Sequence, residues 1–588
     1  MTELPLHEIL NNADPLNLIS VETAVQKAHR TSLDDFISVP VFFLSNFTVS
    51  GIEPFVEYFG LRSKLNTEVG FGDYNVIHQA LMQENSTLHT HNPKVVVISL
   101  MYDVIAQTDD VDVCSELQDL FTLAAKRFHG AIILNTFVAP AVRDISSSPT
   151  PSKFTKIQLA NDFIRQFVKD NSSQFFLCDW EQYVQAFGYH ETIDRRYWFM
   201  AKAPFKPPFL SCYAADIAKI CRAISGLSKK CLLLDCDGTL WGGVLGEEGI
   251  DGVHLHPDDY PGNVFYDVQR KIIELQQRGV LLAIISKNNE LDVLNFIENH
   301  PHCLLAREHL SAYRVNWLNK AENIADISTE LNLGLDSFVF LDDSDFECDL
   351  VNERLPAVEV RQVPKRLYEY PDIVAALADD LFFTTNQTNE DAARADLYSA
   401  RQKAEVSKAE FNDIETYLAS LDITADIHQM QVEEIPRVAQ LTQKTNQFNL
   451  AKTVYSQADI TNFHDDAEHT VYVMLVNDRF GKLGLTNVCI VLQLENGKAS
   501  IDTFLMSCRV FERNLEYAFL DYVITDLMRT GSCGAVCARY RRTPKNVVAE
   551  MFYEKMGFRL KNNNDLEKSY ALDAKDYEPK TYNYIRRI

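Results

Sequence analysis

The chain is short of positive charge. Its 588 residues carry 56 Lys and Arg against 82 Asp and Glu, a formal net charge of -26. Phosphate backbones attract basic surfaces, so this balance argues against a non-specific nucleic-acid binder, while leaving local basic patches free to meet acidic partners. The 12 cysteines form no dense framework and no C-x-x-C pair. Cys533 and Cys537 lie in the strand-like run CGAVCARY, and no His or Cys group completes a zinc site there. That usage fits reduced thiols rather than a disulfide scaffold. The first residues, MTELPLHEILNNADPLNLIS, lack the basic start and apolar core of a signal peptide. No apolar stretch approaches the roughly 18–20 residues needed to span a bilayer. Internal repeats and long low-complexity tracts are missing too. These absences exclude a wholly disordered chain, a collagen and a disulfide miniprotein, and they predict a cytoplasmic protein with no membrane and no nucleic-acid partner.

What is present is ordinary globular material, 46% hydrophobic and 23% charged, long enough for three or four domains of about 100–200 residues. The first block alternates helical stretches with continuous apolar runs at 39–47, 94–101, 130–138 and 174–180. Continuous rather than alternating runs indicate buried parallel strands, hence a doubly wound α/β sheet. The polar SSSPTPS (146–152) is a loop inside this block, and GLSKK (226–230) marks its end. A second βαβ series begins at CLLLDCDGTLW (231–241) and continues through strands at 280–289 and 337–343. A charged, helix-prone connector follows. The third block mixes VYVMLVND, NVCIVLQL and ASIDTFLMSC with two helices and predicts α+β. The expected organisation is 1–226, 227–378, a connector at 379–415, and 416–588, an α/β protein of three domains.

The sharpest chemical signal is LLLDCDGTLW, where a buried strand ends in Asp235 and Asp237 followed by Gly238 and Thr239. Ligands of open parallel sheets sit beyond the carboxyl ends of the strands. Two acids there repel unless a hard cation such as Mg²⁺ joins them. One carboxylate is then able to attack phosphorus while the other moves a proton. A helix-capping acidic turn is the plain alternative. The rest of the block argues against it: LLAIISK ends in Ser286, a hydroxyl for a phosphate oxygen; NWLNKAENI supplies the cation of Lys320; SFVFLDD ends in Asp342 and Asp343.

The order DxDGT, Ser, Lys, DD resembles the haloacid dehalogenase (HAD) phosphatase superfamily. LDCDGTLWGGVLGEEG, SKNN, NWLNKAENI and LNLGLDSFVFLDD resemble its subfamily IIIC, the FkbH-like proteins. The resemblance implies that Asp235 is the phosphoryl-accepting nucleophile and Asp237 the general acid/base. It makes Asp343 a Mg²⁺ ligand beside Asp342, with Asp235 and the backbone carbonyl of Asp237 completing the metal site, and it has Ser286 and Lys320 hold the phosphoryl group. The chain departs from the family's DCDNT at Gly238. It also departs from DDNPxER by reading DDSDFEC, with Ser344, Asp345 and Cys348 changed and Glu347 kept. The short insert GGVLGEEGIDGVHLHP implies a minimal cap and an open site, suited to a substrate carried on another protein.

LTQKTNQFNL, NDRFG, DTFLMSCRVFERN and, further on, RTPKN and MFYEKMGF resemble the family's C-terminal domain, which has the GNAT acyltransferase fold. There an R/Q-x-x-G-x-G loop cradles pyrophosphate on backbone N–H groups. The family's RVLGRG is RVFERN here, with Glu512 and Asn514 in place of two glycines and Arg509 and Arg513 as cations for coenzyme A or a phosphopantetheine arm. Cys508, beside Arg509, is the candidate acyl-carrying thiol; a small buried residue at a strand end is the plainer reading. Cys236 alternates away from Asp235 and is expected in the core. Arg539, Arg541, Arg542 and Lys545 form a basic run able to dock an acidic carrier protein or merely to be solvated. In the first block, Ser45 and Asn46 end the first strand where SGNH-type hydrolases keep their nucleophile, with Ser86, Ser99 and His190 further on. No D-x-x-H pair supplies a base, so this block is expected to be SGNH-like in fold and inactive as a hydrolase.

The resemblance implies an enzyme that takes an acyl phosphate, typically 1,3-bisphosphoglycerate, removes phosphate and loads the glyceryl unit on an acyl carrier protein, with Mg²⁺ as cofactor, for polyketide or related biosynthesis. A plain Mg²⁺-dependent phosphatase and a carrier-binding scaffold are the rival readings.

Overall fold

The computed structural model describes residues 6–33, 35–83, 85–108, 111–141, 152–385, 414–479, 481–494, 497–507, 510–529, 533–543, 545–564 and 566–588. The expected connector at 379–415 lies outside them over 386–413. The chain divides into two compact units. One is Met1–Leu227 with Thr384–Asn386 and Tyr455–Asp459; the other is Ser228–Phe383 with Gln387–Val454 and Ile460–Ile588.

The first unit is built on five parallel strands, β1 (Val41–Ser45), β2 (Val69–Phe71), β3 (Val95–Ser99), β4 (Ala131–Asn135) and β5 (Phe175–Cys178), in the order β2-β1-β3-β4-β5. Helices α1 (Glu53–Arg62), α2 (Val113–Arg127), α3 (Lys153–Asp170) and α4 (Pro207–Ile224) alternate with them. Every residue of β1, β3 and β4 is buried, which is why these strands read as unbroken apolar runs. β2, only three residues with a central glycine, gave no such run and was not anticipated.

The second unit holds two sheets. The first has β6 (Cys231–Leu234), β7 (Leu281–Ser286), β8 (Leu310–Val315), β9 (Phe338–Asp342) and β10 (Glu359–Gln362), all parallel, in the order β8-β7-β6-β9-β10. Helices α5 (Gly262–Gln277), α6 (Glu290–Asn299), α7 (Lys320–Leu331) and α8 (Asp345–Arg354) connect them. Successive side chains of a strand point to opposite faces. Thus Leu232 and Leu234 pack in one core while Cys231 and Leu233 pack in the other. The strand order reverses between β6 and β9, and such a switch point opens a crevice at the carboxyl edge.

The second sheet of this unit is mixed. It comprises β11 (Ile423–Gln429), β12 (His469–Asp478), β13 (Gly481–Leu494), β14 (Lys498–Met506), β15 (Ala535–Arg541), β16 (Arg559–Asn563), β17 (Glu567–Asp573) and β18 (Ile585–Arg587). Helix α9 (Leu515–Arg529) joins β14 to β15. The order is β16-β17-β15-β14-β13-β12-β11-β18, antiparallel except for β14 with β15 and β11 with β18. The α/β class and its several sheets are as the sequence predicts.

Candidate active site

Four strand-to-helix turns at the carboxyl edge of the β6–β10 sheet carry the predicted residues, and three of them are fixed by side-chain caps. Asn289 accepts from the Leu291 N–H at the start of α6, Asn319 from Ala321 at α7, and Ser344 from Glu347 at α8. A cap of this kind is worth about 1 kcal/mol and fixes where the chain enters the helix. The caps therefore hold the turns that present Ser286, Lys320 and the Asp342–Asp343 pair.

Asp235 and Asp342 face each other across the switch point, 6% and 0% exposed. The Lys320 ammonium lies between them, 2.9 Å from Asp235 Oδ1 and 2.5 Å from Asp342 Oδ2. Burial disfavours its charge, yet the two carboxylates outweigh that and hold its pKa above the ordinary lysine value. Asp235 is pushed up to about 7, chiefly by burial and also by the neighbouring Asp342 charge, against the pull of Lys320. The other oxygen of Asp342 accepts from the Ser344 N–H at 2.9 Å, which orients the carboxylate. Asp343 is raised as well, first by burial and then by Asp342.

Oxygens of Asp235, Asp342 and Asp343 lie within 4.8 Å of one another. An all-carboxylate donor set suits a hard divalent cation, and neutralising mutually repelling acids is what such a cation does. Gly238 belongs to this geometry. It takes φ +71°, and a Cβ at this position would collide with the Asp343 carboxylate. The departure from DCDNT therefore makes room for the metal-side acid.

Asp237 is held apart from that cluster. Its Oδ1 accepts from the Trp241 indole at 2.8 Å and the Leu245 N–H at 3.1 Å, and its Oδ2 from the Asn288 amide at 2.8 Å. Asn288 also reaches the Ser286 hydroxyl at 3.4 Å, so one amide joins the Asp237 carboxylate to Ser286. Sequence reading missed Trp241 and Asn288 as working parts, although both stand inside quoted motifs. Their role is visible only in where their N–H groups point. Cys236 is fully buried in this core, as its alternation away from Asp235 predicts, and burial pushes its thiol well up. Glu347, kept from the family pattern, pairs with Lys287 at 2.5 Å beside Ser286.

Cys508 and Arg509 lie outside the described residues. Arg513 is turned inward: its guanidinium meets Asp478 Oδ2 at 2.6 Å, with the two side chains 8% and 1% exposed. Glu512 and Asn514 take φ +62° and +58°, so the turn keeps a glycine-like backbone without glycine. Three members of the basic run are also paired. Arg539 faces Asp502 at 3.9 Å, Lys545 meets Asp336 at 2.5 Å, and Arg542 bonds Glu550.

In the first unit, the Ser45 hydroxyl donates to the Phe47 carbonyl at 2.7 Å and accepts from the Phe47 N–H at 3.1 Å. Asn46 is tied to the Met101 backbone, Ser99 to Tyr213 Oη at 2.6 Å, and Ser86 to His89. His190 sits exposed on a short helix, Tyr189–Thr192. Ser45 and Ser99 are thus satisfied within the fold, while Ser86 donates to the Ala80 carbonyl at 2.7 Å and meets His89 Nδ1 at 2.9 Å on the surface. Among the described residues no helix is long and apolar enough to cross a membrane.

No protein-family model and no curated protein matches the chain. Among solved structures, the chain is similar to the N-terminal part of the protein BF1531 from Bacteroides fragilis, containing a phosphatase domain complexed with Mg. The identity is 25%, covering 62% of this chain and 98% of that chain, at a TM-score of 0.56. The ribosomal-protein-S18-alanine N-acetyltransferase from Escherichia coli aligns over 27% of this chain and 99% of its own, at 14% identity and a TM-score of 0.21. A putative acetyltransferase of the GNAT family from Desulfovibrio desulfuricans aligns over 26% and 99%, at 14% identity and a TM-score of 0.22.

Proposed function

We propose that the β6–β10 sheet is a Mg²⁺-dependent HAD-type phosphatase acting on a phosphorylated small molecule. The observation that carries this reading is the convergence of Asp235, Asp342 and Asp343 around one point, with Lys320 bridging the first two. Likeness to a Mg-complexed phosphatase domain supports it. Asp235 is the nucleophile: its free oxygen bonds to phosphorus as the ester or anhydride oxygen leaves, giving an aspartyl phosphate that water then hydrolyses. Asp237 gives a proton to an alkoxide leaving group and takes one from the attacking water. Trp241, Leu245 and Asn288 hold it ready for that exchange. Ser286 donates to a phosphoryl oxygen, and Lys320 keeps Asp235 ionised and offsets the charge of the phosphoryl group. Asp235, Asp343, Asp342 and the Asp237 carbonyl would hold the Mg²⁺, which supplies charge neutralisation for the phosphoryl oxygens.

The finer reading is that the substrate is an acyl phosphate such as 1,3-bisphosphoglycerate, and that the glyceryl unit passes to the phosphopantetheine arm of an acyl carrier protein. This reading rests on the resemblance of the C-terminal motifs LTQKTNQFNL, NDRFG and DTFLMSCRVFERN to an acyltransferase domain. Cys508 would then be the acyl-carrying thiol, with Arg509 beside it. The experiment for both readings is intact-mass spectrometry of a phosphopantetheinylated carrier protein incubated with the full chain, Mg²⁺ and 1,3-bisphosphoglycerate, with phosphate measured in parallel and Asp235→Asn as control. A glyceryl adduct that needs Asp235 supports the combined reaction. Phosphate without adduct leaves the phosphatase, and neither product sinks the substrate assignment.

A further inference from the structure

An extended arm that carries amides and ends in phosphate needs two things from a mixed sheet. One is a strand edge with free backbone groups for the amides; the other is a helix start with open N–H groups for the phosphate. The C-terminal sheet has a place for each. β14 and β15 run parallel but pair only over 498–501 with 535–538. The opposite edge of β14 stays paired with β13 as far as Met506. The free edge of 502–506, facing β15, is therefore where an arm would lie, and the RVFERN turn leads into α9 beside it.

The chain itself occupies that edge. The Leu450 N–H donates to the Phe504 carbonyl at 3.0 Å, and the Met506 N–H to the Phe448 carbonyl at 2.9 Å. Asn449 forms an antiparallel bridge with Leu505. On the other side, the Arg541 N–H at the end of β15 donates to the Leu450 carbonyl at 2.8 Å. The Asn546 amide then ties the Asn449 and Arg541 carbonyls together, at 2.9 Å each. Segment 448–450 thus bridges β14 and the end of β15 through backbone hydrogen bonds, with Phe448, Asn449 and Leu450 at 5%, 0% and 0% exposure. Asn449 Oδ1 also accepts from the Lys452 N–H at 2.8 Å, closing the turn that follows.

The polar side chains at the helix start are already engaged or acidic. Arg513 is spent on Asp478, and the Asn514 amide donates to Tyr584 Oη at 2.6 Å. Glu516, in the first turn of α9, is 8% exposed and leaves Oε2 buried without a partner. A carboxyl group stands where an arm phosphate would seek N–H groups. Two separate observations, one on the strand edge and one on the helix start, point the same way.

We propose that the C-terminal sheet is an acyltransferase-shaped body closed to its arm: it binds neither coenzyme A nor phosphopantetheine, because segment 448–450 fills the edge of β14 with its own backbone hydrogen bonds. This bears on the finer reading of function alone and confines the chemistry to the carboxylate site. Any acyl transfer then takes place outside this groove. The test is calorimetric titration of the full chain with coenzyme A and with phosphopantetheine, combined with amide hydrogen exchange over 446–452. The expected result is no binding up to about 1 mM, with 446–452 exchanging as slowly as β14 and unchanged by either compound. One-to-one binding tighter than about 100 µM, or fast exchange of 446–452 in the free protein, overturns the proposal. Phosphate release with Mg²⁺ in the same preparation reports on the phosphatase separately. Its loss would count against that reading and leave the closed sheet standing.

Discussion

Two sets of strand-to-helix turns in the same unit make an instructive pair. After β6, β7 and β9, polar side chains converge on a shared point and leave oxygens of three carboxylates facing it. After β14, the polar side chains turn on each other: Arg513 to Asp478 and Asn514 to Tyr584. Both have the architecture of a ligand site. What distinguishes them is whether the fold has already satisfied the groups a ligand would satisfy. Three carboxylates held together with one ammonium among them, as in the first set, carry excess negative charge and invite a cation from outside; charges paired one to one and buried, as in the second, do not.

The comparison breaks most sharply under substitution of Asp235, the proposed nucleophile. Asp235→Asn is expected to lower phosphate release by at least about 10³-fold, because the bond-forming oxygen is lost. Arg513→Ala should leave phosphate release within about twofold, yet lower stability by about 3 kcal/mol, since it breaks a buried ion pair. Steady-state phosphate assays with thermal melts read both. Equal losses of activity would erase the distinction.

Gly238→Ala tests whether the metal-side geometry depends on the missing Cβ. Its Cβ would press on the Asp343 carboxylate from a left-handed backbone position. Mg²⁺ activation should then need at least about tenfold more metal, measured as the half-activating concentration. Trp241→Phe and Asn288→Ala each remove one N–H donor from Asp237. They should cost about tenfold in kcat with little change in the Mg²⁺ requirement. A shift in metal affinity instead would place these residues in the metal site.

The smallest effect is one of pH. Burial raises the Asp235 carboxyl to about 7 in the metal-free fold, above its ordinary value. Its contribution to stability is therefore complete below pH ~4 and fades as pH rises through about 7. EDTA-treated protein should lose melting temperature across that window while Mg²⁺ binding tightens, because binding releases the proton. Metal affinity that stayed flat from pH 5 to 7.5 would contradict the assignment.

Much of the carboxylate site was legible in the sequence, because buried parallel strands announce themselves as apolar runs and their last residues must sit at one edge. β6, β7 and β9 were read this way. β8 (LSAYRV) and β10 (EVRQ) were not, since edge strands exposed on one side carry polar residues. Asp235, Ser286, Lys320, Asp342 and Asp343 follow from strand ends and a capped helix start. The donors on Asp237 did not follow, because an indole and an amide have no chemical role until their direction is known.

The sequence by itself determined the order of the sheets, the strand-end carboxylates and the residue types that chemistry at phosphorus requires, since those depend on local hydrophobic pattern and on side-chain identity. Only the tertiary structure decided which acids converge, that a Cβ at position 238 would press on the Asp343 carboxylate, and that 448–450 fills the space between β14 and β15. The last is a matter of backbone hydrogen bonds to residues more than fifty positions away. Such bonds use groups that every residue carries, and so they leave no mark in the sequence that makes them.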